Sequence, residues 1–278
     1  VEQLLNMAAG EGGLQKIDVT TAAAEGELYL HGAHVTHWQP HGHDPVIFMS
    51  EEAVFANDKA IRGGVPICFP WFGPHPTDTA VPIHGYARLR DWQLTSFRKV
   101  GDGAEVVLSL DVAPFKLTYT VTFDSMLTLS LRVLNTDSKP REFEAALHTY
   151  FEVADVRNVT ITGLKGREYL DKTRKAERFR QDDEPIKITE ETDRVYLATR
   201  DTVVIHDPGL DRTIEVQKSG SEATIIWNPW VEKAKALKDF GDDEWPLMLC
   251  VESGCVGPHS ITLPPSESHV LTQVVRVS

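Results

Sequence analysis

The chain has 278 residues, 41% of them hydrophobic and 25% charged, with a formal net charge of -13. That charge argues against general binding to nucleic acid or to an anionic membrane, both of which need a basic surface. It does not exclude a small phosphorylated ligand held by a few converging arginines.

The first dozen residues, with Gly10, Gly12 and Gly13, are expected to fray, so residues 1–13 are read as a flexible end and residues 14–278 as a single domain. No basic-then-apolar leader opens the sequence, and no apolar run approaches the roughly 18 residues of a membrane span. His31, His34, His37, His41 and His43 fall within thirteen residues. Their spacing follows neither a helical HxxxH nor a His-x-His chelate beside a carboxylate, so no metal site is expected there.

Next comes Arg62-Gly-Gly-Val-Pro-Ile-Cys-Phe-Pro-Trp-Phe-Gly-Pro74, followed by His84-Gly-Tyr-Ala-Arg88. Glycine frees the backbone and proline removes a donor, so neither segment can continue a regular element. Both are expected to hold polar side chains in fixed geometry. Arginine in such a loop suits an oxyanion through its planar fork; the competing reading is a rigid turn with surface arginines.

Period-two alternation then dominates. Residues 115–123 and 126–134 read as two strands around the tight turn Asp124-Ser125. Further strands are expected at 104–110, 142–153, 203–206, 213–216, 224–227 and 270–277. Helical periodicity is confined to short pieces, the best being 231–240. Strands punctuated by Gly, Pro, Asp and Asn over the whole length indicate an all-β sandwich or barrel.

Two ionisable residues sit in apolar strand-like runs. His148 lies in Ala145-Ala-Leu-His-Thr-Tyr-Phe-Glu-Val153, sharing a face with Ala146 by parity; a buried, hydrogen-bonded histidine is the plainer reading. Glu252 lies in Leu247-Met-Leu-Cys-Val-Glu-Ser-Gly254, where a carboxylate is costly unless paired or functional. Together they form a candidate acid–base pair. Cys68, Cys250 and Cys255, an odd number outside any metal-finger spacing, fit a reduced, cytoplasmic protein. No Walker loop, Rossmann fingerprint or G-x-S-x-G elbow is present.

Taken in order, Arg62-Gly-Gly-Val-Pro, Phe69-Pro-Trp-Phe-Gly-Pro, His84-Gly-Tyr-Ala-Arg, His148-Thr-Tyr-Phe, Thr192-Asp-Arg-Val-Tyr, Trp227-Asn-Pro-Trp and Cys250-Val-Glu resemble the hexose-6-phosphate mutarotases of the aldose 1-epimerase superfamily. The resemblance implies a large antiparallel β-sandwich of the galactose mutarotase-like kind, with short connecting helices. It implies His148 and Glu252 as the catalytic pair, Arg62 and Arg88 as substrate-binding arginines, and Asp193 as a sugar contact. His84 is a further substrate-binding candidate. Where the family often carries a substrate-binding glutamine before His-Gly, this chain has Ile83. The implied substrate is a hexose 6-phosphate, with no nucleic-acid or membrane partner, and the implied reaction needs no cofactor and no metal. Two alternatives stay open: a mutarotase of non-phosphorylated aldoses, and a non-catalytic carbohydrate-binding sandwich using aromatics such as Trp71 and Trp227.

Overall fold

In the computed structural model, which describes residues 4–278, alternating apolar residues form two large antiparallel sheets packed face to face. The nine-stranded sheet contains the expected hairpin, Phe115–Phe123 with Met126–Asn135, beside its middle strand, Ser268–Val277. Its edges are Ile186–Lys187 and Gln93–Val100. In Phe115–Phe123 every odd residue is buried and the even ones are exposed or half-buried, as one solvated and one packed face demand.

The eight-stranded sheet runs Glu177–Arg180, Glu168–Asp171, Thr192–Tyr196, Ala223–Asn228, Met248–Cys255, Ala145–Leu147 and Ile67–Cys68, with Tyr150–Glu152 also paired to Met248–Cys255. Its central strands are buried throughout, with no polar-out alternation, because both of its faces are covered. One continuous apolar cluster, extending from Ile17 to Val277, fills the space between the sheets. A smaller cluster of Cys68, Ala146, Val195, Leu197, Ala223, Ile225 and Val256 lies on the opposite face of the eight-stranded sheet.

A third sheet, of four strands from Leu5–Ala9 to His34–Pro40, packs on the hairpin: Trp38 Nε1 donates to the Asp124 carbonyl at 3.0 Å. The end expected to fray therefore contributes a strand, since Leu5–Ala9 pairs with Gln15–Thr20 and its backbone groups are satisfied there. Residues 1–3 of that end lie outside the described residues. The one α-helix among the described residues, Trp230–Ala236, is shorter than the expected 231–240. No described helix is long and apolar enough to cross a membrane.

The run expected as one strand over 142–153 is three: Arg141–Phe143, Ala145–Leu147 and Tyr150–Glu152. The pieces keep one register against residues 64–70: the amides of Glu144, His148 and Tyr150 donate to the carbonyls of Pro70, Pro66 and Gly64, in line with the Ala146–Cys68 and Leu147–Ile67 pairs. The Glu144 carboxylate also accepts from the amides of Phe72 and Gly257.

Candidate active site

Strand parity places the site. Along Met248–Cys255, Ser253 faces the nine-stranded sheet, where its Oγ accepts from Gln273 Nε2 at 2.9 Å. Cys250 and Glu252 therefore project from the other face. The register carries that face across the sheet. Glu252 lies opposite Ile225, and Ile225 opposite Val195; Cys250 lies opposite Trp227 and Tyr150, and Trp227 opposite Asp193. Alternation survives the break at His148. Thr149 bonds Gln273 between the sheets, while Ala146, His148 and Tyr150 look to the outer face.

The two special-backbone loops close over this face, and they are bonded to it and to each other. The Gly64 carbonyl accepts from the Tyr150 amide, and Pro66 from His148. At Gly64 the backbone has φ +64°, and a Cβ would stand 2.4 Å from His34 Nε2, which itself bonds the Gly63 carbonyl at 2.9 Å. Only glycine fits there, and the turn fixes the direction of Arg62. The Phe69 amide donates to the His84 carbonyl, and Tyr86 donates to Phe69. A Cβ on Gly85 would meet the Phe69 carbonyl at 2.0 Å, so the second motif is threaded tightly on the first.

All six expected residues gather here. His148 stacks on Tyr150 with ring centroids 4.9 Å apart and meets Trp227 edge-on at 5.9 Å. Its Nδ1 lies 3.4 Å from Glu252 Oε1. Arg62 reaches across to Tyr150 Oη and to Asp239 Oδ1, each at 3.1 Å. Arg88 donates to the carbonyl of Ile83 at 2.8 Å, so the residue that departs from the family pattern holds an arginine through its backbone while its side chain is exposed. His84 is tied to Gly73, whose amide donates to His84 Nδ1 at 3.0 Å, and its ring sits 5.7 Å from that of His148. Asp193 is half-buried on the strand next to Trp227.

Of the seven buried side-chain atoms without partners among the described residues, four lie here: Arg62 Nε, Arg88 Nε, His148 Nδ1 and Glu252 Oε2. Native proteins rarely leave such groups unsatisfied except where a ligand completes them. Burial pushes the Glu252 carboxyl well above the ordinary carboxylate range, with Asp193 adding to the rise. Burial and then the charges of Arg88 and Arg62 hold the His148 imidazole well below its usual value. His84 is lowered for the same reasons, burial first and Arg88 next, and is neutral. Burial also raises Asp193, against the pull of Lys172 and Lys233.

Three neighbours had not been singled out from the sequence. Tyr150 carried a signal, standing two residues from His148 on the same strand face. Asp239 and Lys172 carried none. Asp239 follows the short helix, in a stretch that matches the family only loosely, and Lys172 lies in the turn Lys172–Arg174 with its Nζ 4.3 Å from the Phe72 ring centroid. Three of the histidines of 31–43 take structural roles. His31 Nε2 bonds the Lys59 carbonyl, His34 the Gly63 carbonyl and His41 Nδ1 the Ala22 carbonyl.

Residues 15–276 match the family profile described as Aldose 1-epimerase. A protein from Cenchrus ciliaris, provisionally named glucose-6-phosphate 1-epimerase, is 37% identical over 259 residues, covering 87% of this chain and 78% of its own. A similarly named protein from Escherichia coli K12 is 34% identical over 274 residues, covering 95% and 91%. The crystal structure of a provisionally assigned mutarotase from Salmonella typhimurium superposes with a TM-score of 0.92 at 28% identity, covering 100% and 95% of the two chains. A galactose mutarotase-like protein from Clostridium acetobutylicum shares the fold, with a TM-score of 0.77 at 13% identity over 99% of this chain and 98% of that one. With the sandwich, the ordered motifs and the match over 15–276 in agreement, the chain is an isomerase that belongs to the aldose 1-epimerase family.

Proposed function

We propose that this enzyme interconverts the α and β anomers of a hexose 6-phosphate, glucose 6-phosphate in the first instance, with Glu252 and His148 as the proton-transfer pair. The observation that carries the reading is the set of buried, unpaired atoms on one sheet face: two guanidinium groups beside a carboxyl–imidazole pair. Relatives named for glucose 6-phosphate support the same substrate.

Ring opening requires removal of the O1 proton and protonation of the ring oxygen; rotation about C1–C2 and reclosure give the other anomer. Glu252 takes the O1 proton and His148 protonates the ring oxygen, each transfer contributing about 10²- to 10⁴-fold in rate. No electrons move and no phosphoryl group is transferred. Arg62 and Arg88 bind the 6-phosphate, with charge-assisted bonds worth about 1.5–3 kcal/mol each, and that binding positions C1 against the pair. Asp193 and His84 contact sugar hydroxyls.

The phosphate also sets the protonation state. In the empty site the proton of the pair belongs to Glu252, because burial raises the carboxyl while burial and the arginines lower the imidazole. A dianion between Arg62 and Arg88 offsets the cationic field that disfavours imidazolium, and so moves the proton toward His148, where the reaction needs it. Anomer-exchange NMR on glucose 6-phosphate and glucose, run side by side, tests the reading. Faster exchange of the phosphorylated sugar is expected; equal rates would favour a general aldose mutarotase, and no exchange of either a binding protein.

A further inference from the structure

His148, Cys250 and Glu252 offer one ligand atom each, all three within 4.8 Å of one another, and all three residues are buried. Cys250 and Glu252 stand two residues apart on one strand and therefore share a face. His148 comes in from the interrupted neighbouring strand, with Nδ1 already 3.4 Å from Glu252 Oε1. A second observation points the same way: His148 Nδ1 and Glu252 Oε2 have no hydrogen-bond partner.

We infer that this pocket also binds a thiophilic divalent cation, Zn²⁺ above all, through His148 Nδ1, Cys250 Sγ and a Glu252 oxygen, and that the bound ion blocks anomer exchange. Zinc bonds of about 2.0–2.3 Å in a tetrahedron place the donors about 3.3–3.8 Å apart, so the observed cluster needs to contract by only about 1 Å. Thiolate with imidazole and carboxylate favours zinc, cobalt or cadmium over magnesium or calcium. On binding, the metal–sulfur and metal–oxygen bonds form as the Cys250 thiol proton and the Glu252 carboxyl proton pass to solvent. The thiolate and carboxylate then balance the dication, so the complex adds no positive charge beside Arg62 and Arg88. Three protein donors leave a fourth position open to water, which makes the ion exchangeable. It occupies the lone pairs that proton transfer requires, so it acts as an inhibitor and not as a cofactor.

The test uses the whole protein after treatment with chelator. Zn²⁺ is titrated alone while its binding and the anomer-exchange rate are followed, and Co²⁺ alone serves as the spectroscopic probe. Expected are inhibition that EDTA reverses, no effect of Mg²⁺ at the same concentration, and a thiolate-to-cobalt charge-transfer band in the near ultraviolet. Cys250→Ser should abolish the band and weaken zinc binding by at least about tenfold, with inhibition referred to the variant's own zinc-free rate. Cys68→Ser, at another buried free thiol, should leave both unchanged. Unaltered zinc affinity in Cys250→Ser overturns the inference. Should that variant not fold, a wild-type cobalt spectrum without a thiolate band overturns it equally. Both binding readouts are independent of the catalytic reading, so a protein that bound zinc here without exchanging anomers would separate the two.

Discussion

His148 Nδ1 stands 3.4 Å from Glu252 Oε1, with the histidine ring stacked on Tyr150 and the carboxylate facing away from the main core on the central strand of its sheet. The spacing is long for a hydrogen bond, and Glu252 Oε2 and His148 Nδ1 have no other partner. A buried polar group left without a hydrogen-bond partner costs about 1–3 kcal/mol, so a carboxyl and an imidazole held this way destabilise the empty fold. That cost is consistent with groups kept for their reaction with a ligand.

Removing either member should therefore stop catalysis while sparing the fold. Glu252→Gln keeps the shape and hydrogen-bonding reach but cannot take a proton; His148→Asn cannot give one. Each should lower kcat by at least about 100-fold with an unchanged circular dichroism spectrum. Near-wild-type anomer exchange in either folded variant would sink the assignment.

The pH profile follows from the two opposed displacements. The working pair carries one proton. Below the imidazole's lowered pKa a second proton arrives and the base is lost, so the acid limb should fall below the ordinary histidine range. Above the raised carboxyl pKa the proton leaves and the acid is lost, so the alkaline limb should lie well above the ordinary carboxylate range. These limbs belong to the pair and not to either residue alone. A kcat/KM profile for the free enzyme with its midpoints near 4.5 and 6.5, the unperturbed values, contradicts the burial argument.

The arginines should discriminate between substrates. Arg62→Ala and Arg88→Ala should each cost about 10- to 100-fold in kcat/KM on a hexose 6-phosphate and little on the free hexose. Arg88→Ala should give the cleaner split, because Arg62 also anchors Tyr150 and pairs with Asp239. Equal losses on both sugars, or a lowered melting temperature without selectivity, would instead mark them as struts of the loop.

Chelation should leave the rate intact. Proton transfer by Glu252 and His148 asks nothing of a metal, so dialysis against EDTA is expected to preserve full activity, and to raise it in any preparation carrying zinc. A chelated protein that is inactive and regains activity with metal contradicts this mechanism.

Much of the architecture was legible in the sequence because it is local. The 115–123 and 126–134 alternation with Asp124-Ser125 between them fixes a hairpin whatever surrounds it, and the ordered motifs carry the family. The Gly64 and Gly85 positions announce special backbone without saying what it approaches. Only the tertiary structure supplied the approach: Gly64 against His34, Gly85 against Phe69, and the Pro66 carbonyl pairing with the His148 amide. The same holds for Arg62, whose partner Asp239 lies 177 residues away in a stretch that matches the family only loosely, and for Lys172, which reaches the Phe72 ring from a separate turn. Residue type and spacing encode which side chains can do proton chemistry and which face of a strand they take. Which of them meet, and how far burial and neighbouring charge displace their pKa values, depends on contacts between segments remote in the chain, and those exist only once the sheets have packed.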